Sequence, residues 1–103
     1  MTLKIDYVHD QEDLIVAPKG DLDINSSPEL KTGVLGEYRE NPKNLVFDLE
    51  DLEYLDSTGL GAFISIYKNV KENDHTLTIK NARSSIRKLF TITELDTLFT
   101  VED

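Results

Sequence analysis

The alternation of strand-like and helix-like segments constrains the fold of this chain more than any other feature. Two strand-like segments, Leu3–Val8 and Leu14–Ala17, flank a polar turn at His9–Asp13 and predict a hairpin. Helical patterns then alternate with short apolar runs, and a strand–helix–strand unit requires a crossover that makes its strands parallel. The predicted order is therefore β-β-α-β-α-β-α-β, which is an α/β fold with a small mixed sheet.

Each predicted helix has a recognisable start and an apolar stripe. Ser26-Ser27-Pro28-Glu29 is typical of a helix start, since a serine can cap the free N–H groups and proline suits the first turn. A second helix follows Asp56, which is well placed as its N-cap, and a short third helix begins at Ser84 or Ser85. The stripes comprise Leu30, Val34, Leu35 and Tyr38, then Leu60, Phe63, Ile64, Tyr67 and Val70, then Ile86, Leu89 and Phe90.

The apolar runs between these helices predict three further strands. Asn44–Leu49 is expected to be a buried central strand, Leu77–Lys80 another strand, and Leu98–Val101 an edge strand. The second strand is expected to end near Pro18–Gly20, and Glu50–Leu55 is expected to form a loop. One domain is expected to span residues 1–103.

Composition narrows the class of protein. The 103 residues suffice for one core, and 39% hydrophobic with 30% charged residues fits a soluble globular protein. The sequence contains no run of about 18 apolar residues, so no membrane-spanning helix is expected. The N-terminus is unlike a signal peptide, and the chain has no cysteine. From these observations together we expect a cytoplasmic protein. The net charge of −9 disfavours nucleic acid and anionic membranes. It fits either a solvated surface or a basic protein partner.

The run Asp56-Ser57-Thr58-Gly59-Leu60-Gly61 places a hydroxyl at a helix N-terminus. The free N–H groups and partial positive charge there tolerate an anion, so our central hypothesis is that Ser57 is a reversible phosphorylation switch. Thr58 is a competing hydroxyl. Gly59 and Gly61 would let a partner approach closely, although close packing of the helix on the sheet explains them equally well.

A second polar cluster, Gly20-Asp21-Leu22-Asp23, follows the second strand. Sites in such sheets form beyond the carboxyl ends of the strands. The loop after Gly20 and the loop before Ser57 both leave such ends, so Asp21 and Asp23 are expected near Ser57. Ordinary turn chemistry of aspartate and glycine is the alternative explanation.

Catalytic and metal chemistry find little support. Ser57 lacks a G-x-S-x-G elbow, and the two histidines, His9 and His75, lie in polar turns. The carboxylates lack the spacing of an EF-hand, and there is no P-loop for nucleotide phosphates. We therefore expect no catalytic residue, no metal site and no cofactor.

Three segments together resemble the bacterial anti-sigma factor antagonists, which are single STAS domains, and most closely those of the general-stress type. Asp56–Gly61 resembles the family's phosphorylation motif, Gly20–Asp23 followed by Pro28 resembles its acidic segment, and Asn81–Leu95 resembles its C-terminal helix and turn. The resemblance covers nearly the whole chain. It implies a small mixed sheet with helices packed mainly on one face.

The resemblance also implies a partner switch. The unphosphorylated antagonist binds an anti-sigma factor that is a serine kinase, which frees a sigma factor; phosphorylation at Ser57 ends binding, and a PP2C-type phosphatase restores it. ATP and Mg²⁺ belong to the kinase. Asp23 is expected beside the phosphoacceptor. The expected partner-binding residues are Asp21, Asp23, Asp56, Ser57, Thr58, Gly59 and Gly61.

Two other roles remain open from the sequence. A STAS domain can serve as a scaffold subunit of a stress-sensing or lipid-transport complex. A small hydrolase using Ser57 is the alternative from another class, and the absence of an evident base argues against it.

Overall fold

The computed structural model describes residues 3–102. The predicted domain boundaries reach Met1, Thr2 and Asp103, which lie outside the described residues. The elements are β1 (Lys4–His9), β2 (Asp13–Leu22), α1 (Ser27–Glu40), β3 (Asn44–Asp48), β4 (Leu52–Leu55), α2 (Ser57–Glu72), β5 (Leu77–Lys80), α3 (Ser84–Ile92) and β6 (Thr100–Val101), with a 3-10 turn at Leu95–Thr97.

One mixed sheet carries all the strands, in the order β1-β2-β3-β5-β6, with β4 beside the end of β2. β1 and β2 pair antiparallel, and every other pairing is parallel. The mixed sheet and the hairpin are therefore as predicted. The hairpin turn and the crossovers place the carboxyl ends of β2, β4 and β5 on one edge of the sheet.

The helices cover one face of the sheet. Leu14 and Val16 in β2 are completely buried, whereas Ile15 between them is only half-buried, which is the alternation of a sheet covered on one side. The core on the helix side includes four aromatic rings, with centroids 4.8 to 5.8 Å apart, that join the central strand to α2, α3 and the segment before β6: Phe47, Phe63, Phe90 and Phe99. The expectation of helices mainly on one face is confirmed.

Two strand predictions are wrong at the same place. β2 does not end near Gly20 but continues to Leu22, and the predicted loop contains β4, whose residues pair with the end of β2. The pairing shifts register directly after Gly20, whose φ of 106° is accessible to glycine without strain. Leu52 and Leu55 are both buried, three residues apart rather than two. A strand with this irregularity has no simple alternation, so its sequence does not look like a strand.

Smaller differences concern element ends. The predicted strand Leu98–Val101 is reduced to Thr100–Val101, because the 3-10 turn at Leu95–Thr97 ends immediately before Leu98, which is 45% exposed. In α2 the fully buried side chains include Ile66, which was not predicted, while Tyr67 is only partly buried. Across residues 3–102, no helix combines the length and apolarity needed to cross a bilayer.

Candidate functional site

The ends of β2 and β4 lie side by side and lead into the two polar segments singled out above. Leu22 pairs with Leu55, and the Asp56 N–H donates a hydrogen bond of 3.3 Å to the Leu22 carbonyl. The loop after β2 and the start of α2 are therefore adjacent at the carboxyl edge of the sheet. This is the place where sites form in sheets with parallel strands.

Asp56 caps α2, as its sequence position predicts. Its Oδ1 atom accepts hydrogen bonds from the backbone N–H groups of Thr58 at 3.0 Å and Gly59 at 3.1 Å, and from the Thr58 hydroxyl at 2.6 Å. These bonds, the Thr58 hydroxyl first among them, lower the pKa of the Asp56 carboxyl against the opposing effect of desolvation. A fixed negative charge therefore stands at the entrance of the helix.

The two neighbouring hydroxyls at this helix start differ in their bonding. Ser57 and Thr58 are both exposed, but the Thr58 hydroxyl donates to Asp56. For the Ser57 hydroxyl there is no hydrogen-bond partner in the described part of the chain. Ser57 therefore offers an uncommitted oxygen to solvent, whereas a reaction at Thr58 would first have to break the bond to the cap.

The two glycines of the motif also differ. Gly59 is buried, and a Cβ atom there would overlap Leu55 Cδ1 and lie 2.9 Å from Leu22 Cγ. Gly61 is exposed, and a Cβ atom there would meet nothing within 4 Å. Close packing of the helix on β2 and β4 thus accounts for Gly59, while Gly61 leaves an open patch on the helix surface.

Asp23 uses its carboxylate to fold its own loop. Asp23 Oδ1 accepts hydrogen bonds from the backbone N–H groups of Asn25 at 2.9 Å and Ser26 at 3.2 Å. The Ser26 hydroxyl accepts from the Asp23 N–H at 3.0 Å and donates to the Asp21 carbonyl at 2.8 Å. Asp21 itself pairs with Tyr54 and alternates with buried Leu22, so its side chain lies on the uncovered face of the sheet.

The expected side-chain cap of α1 by serine is wrong. Ser26 occupies the N-cap position, but its hydroxyl makes no cap hydrogen bond to the helix. Pro28 in the first turn has no N–H to offer, and the bonds to Asp21 and Asp23 hold the Ser26 hydroxyl at the end of β2.

Two further residues belong to this region but were not predicted as site residues from the sequence. Ser27 is buried, its hydroxyl donates to the Asp23 carbonyl at 2.6 Å, and its Oγ atom lies 3.4 Å from Thr58 Oγ1. Ile24 stands exposed at the tip of the loop. The spacing of Asp23 and Ser26 is a local turn signal that could have revealed this loop.

A shallow groove of about 410 Å³ runs between the N-terminal halves of α1 and α2. Its lining combines Ile24 and both helix starts: Ile24, Ser27, Pro28, Lys31, Thr58 and Gly61 are among its residues. Ser57 directly precedes one lining residue. The groove therefore begins one residue along α2 from the exposed Ser57.

Neither histidine lies near Ser57. His9 pairs with Leu14 at the beginning of β2, and its Nε2 atom is 2.9 Å from a Glu37 carboxylate oxygen. His75 precedes β5 and bonds to the Tyr38 hydroxyl at 2.5 Å. Both are at the opposite edge of the sheet, so neither can serve as a base for Ser57. Residues 3–102 also hold no group of three or more metal-ligating side chains.

Comparison with known proteins agrees with this architecture. The chain is 33% identical over 95 residues to an anti-sigma-B factor antagonist of Bacillus subtilis, covering 92% of this chain and 86% of that protein. The crystal structure of an anti-sigma factor antagonist from Mycobacterium paratuberculosis superposes with a TM-score of 0.83 at 23% identity, covering 97% of this chain and 85% of that one.

A second solved relative is SpoIIAA, a cell fate determinant of Bacillus, in its phosphorylated form. It superposes with a TM-score of 0.74 at 14% identity, covering 99% of this chain and 92% of that one, and shares the fold. A family model described as the STAS domain matches residues 4–103. The chain therefore belongs to the STAS domain family.

Proposed function

We propose that this chain is an anti-sigma factor antagonist controlled by phosphorylation of Ser57. Its unphosphorylated form binds an anti-sigma factor that is also a serine kinase, and this binding frees a sigma factor. Phosphorylation by that kinase ends the binding, and a PP2C-type phosphatase restores it. Support comes from the name of the relative that is 33% identical over most of both chains. We propose that the protein acts by binding rather than by catalysis, and that it does so in the cytoplasm, where these partners are.

The uncommitted hydroxyl of Ser57 carries the proposal. Phosphoryl transfer needs an oxygen that a kinase can reach, and Ser57 is exposed without an internal partner across the described residues. The Thr58 hydroxyl, by contrast, donates a hydrogen bond of 2.6 Å to Asp56 Oδ1. This difference in bonding favours Ser57 as the phosphoacceptor on physical grounds as well as by family resemblance.

The same geometry supports a switch that does not unfold the domain. A phosphate adds roughly −1.5 to −2 charges at pH 7, and the start of α2 is an end of the helix dipole that favours them. At an interface, however, the phosphate stands beside the ionised cap Asp56, and its desolvation is costly. A binding loss of about 2–4 kcal/mol lowers affinity roughly 30- to 1000-fold.

The first test is phosphorylation by the cognate kinase with Mg-ATP, followed by intact-mass and peptide mass spectrometry. We expect one phosphate on Ser57 in the wild type and in Thr58→Ala, and none in Ser57→Ala. Ser57→Ala is expected to bind the partner as tightly as the wild type, and Ser57→Asp at least 30-fold more weakly. Wild-type affinity of Ser57→Asp would rule out the charge mechanism, and a phosphate on Thr58 would move the site.

A further inference from the structure

We infer that Ile24 is the apolar anchor of the partner contact, and that Asp23 acts by positioning it rather than through its charge. The partner surface that fits is an apolar side chain surrounded by basic groups. This inference rests on the proposed function, since the occupant is the anti-sigma factor named there. It adds a residue and a role that neither the family motif nor the phosphorylation site assigns.

Ile24 is unusually exposed for an aliphatic side chain, at 69% of its surface. It does not stand alone, because it forms one wall of the groove whose other walls include Pro28 and Ala62. An exposed apolar side chain indicates an interaction site when it belongs to a continuous apolar patch, whereas single scattered apolar residues are normal on protein surfaces. The groove and Ile24 together form such a patch beside Ser57.

The loop that carries Ile24 is held rigidly. Asp23 Oδ1 binds the N–H groups of Asn25 and Ser26 on the far side of Ile24, and the Ser26 hydroxyl ties the loop to the Asp21 carbonyl. An anchor that is ordered before binding loses less conformational freedom on association. The carboxylate oxygen that makes these bonds acts as an acceptor, and an amide oxygen can replace it.

Charge complementarity points to the kind of partner. The neighbourhood of the groove carries acidic groups on both helix starts, Glu29 in the first turn of α1 and Asp56 at the cap of α2. Lys31 is the cation among the lining residues. An apolar side chain flanked by arginine or lysine complements an apolar groove with an acidic rim.

The proximity of the groove to Ser57 connects the anchor with the switch. Thr58 and Gly61 line the groove, and Ser57 immediately precedes the first of them. A partner side chain seated against Ile24 therefore reaches the first turn of α2, which also carries Ser57. The open helix surface at Gly61 leaves room for that approach.

The anchor is tested by calorimetric titration of the anti-sigma factor with Ile24→Ser and with Ile92→Ser. Ile92 is a matched control, because it is 74% exposed and ends α3 rather than lining the groove. We expect Ile24→Ser to weaken binding roughly 10- to 100-fold, as loss of an interface anchor does, and Ile92→Ser to change it less than about 2-fold. Equal affinities of the two variants would overturn the anchor.

The positioning role is tested by comparing Asp23→Asn with Asp23→Ala in the same titration. We expect the amide, which retains the acceptor oxygen, to keep affinity within about 3-fold, and alanine to lower it roughly 10-fold. If asparagine binds as weakly as alanine, the charge is what matters and the positioning role is wrong. Absence of binding by the wild type itself would refute the proposed function, whereas wild-type binding that is indifferent to Ile24 would refute only this inference.

Discussion

The starts of α1 and α2 lie next to each other at one edge of the sheet, yet their first serines differ in burial and in hydrogen bonding. At α1, Ser27 is 7% exposed and its hydroxyl is bound to the Asp23 carbonyl. At α2, Ser57 is exposed, and Asp56 satisfies two backbone N–H groups of the first turn through one oxygen. The aspartate cap leaves the first serine of its helix free to react.

The two hydroxyls differ because Ser27 is buried with the Asp23 carbonyl within reach, whereas Ser57 faces solvent. A serine that closes a loop must stay buried and bonded, since an unpaired buried polar group is costly. Ser57, which follows the aspartate cap and is exposed to solvent, does not need a hydrogen-bond partner within the protein.

The largest expected effect comes from placing the same charge at each start, with Ser27→Asp and Ser57→Asp. Ser27→Asp buries a carboxylate that cannot donate to the Asp23 carbonyl, so we expect a loss of about 3 kcal/mol in the free energy of unfolding. Ser57→Asp adds a charge at an exposed helix N-terminus and should change stability by less than about 0.5 kcal/mol. Urea denaturation measures both. Similar losses for the two variants would remove the distinction between a structural and an available serine.

The next effect separates the two glycines of α2. Gly59→Ala drives a Cβ atom against Leu55, Leu22 Cγ and the Leu22 carbonyl oxygen, so we expect about 2 kcal/mol of destabilisation. Gly61→Ala meets no neighbour and improves helix propensity, so a gain of about 0.5–1 kcal/mol is expected. Thermal unfolding of the two variants should shift in opposite directions. A neutral Gly59→Ala would mean that packing does not require this glycine.

Most of the fold follows from local patterns in the sequence. The helix starts, the hairpin and the central strands are visible because the Asp56 cap, the proline of α1 and apolar periodicity agree with the final structure. β4 is not visible, since Leu52 and Leu55 are spaced by three and become a strand only by pairing with the end of β2. Tertiary pairing of this kind leaves no local signature.

Around Ser57, too, some features could be predicted from the sequence and others could not. Spacing alone places Asp56 as the cap, and the direction of the strands brings the β2 loop near Ser57. The partner of each hydroxyl is not accessible to such reasoning, because Ser27 and Thr58 are 31 positions apart in the chain and meet only in the folded domain. Whether Asp23 faces outward or into its own loop depends equally on the folded backbone.

An effect smaller than those of Ser27→Asp and Gly59→Ala concerns the Asp56 cap of α2. Asp56→Ala removes the acceptor for the Thr58 and Gly59 N–H groups, and we expect a loss of about 1 kcal/mol at pH 7. Because the folded protein lowers the pKa of this carboxyl below its ordinary 3.8, the ionised cap stabilises the fold above that value. The stabilisation is lost as the pH falls from there through the folded pKa.

The pH dependence can therefore isolate the charge of the cap from its geometry. The stability gap between wild type and Asp56→Ala, measured by urea denaturation, should be constant near neutral pH and narrow below pH 3.8. Asp56→Asn is the matched control, since asparagine is an equally good N-cap and does not titrate. It should retain most of the stability at pH 7 and show no such narrowing against Asp56→Ala. A gap that widens in acid would mean that protonation, rather than ionisation, of Asp56 favours the folded helix start.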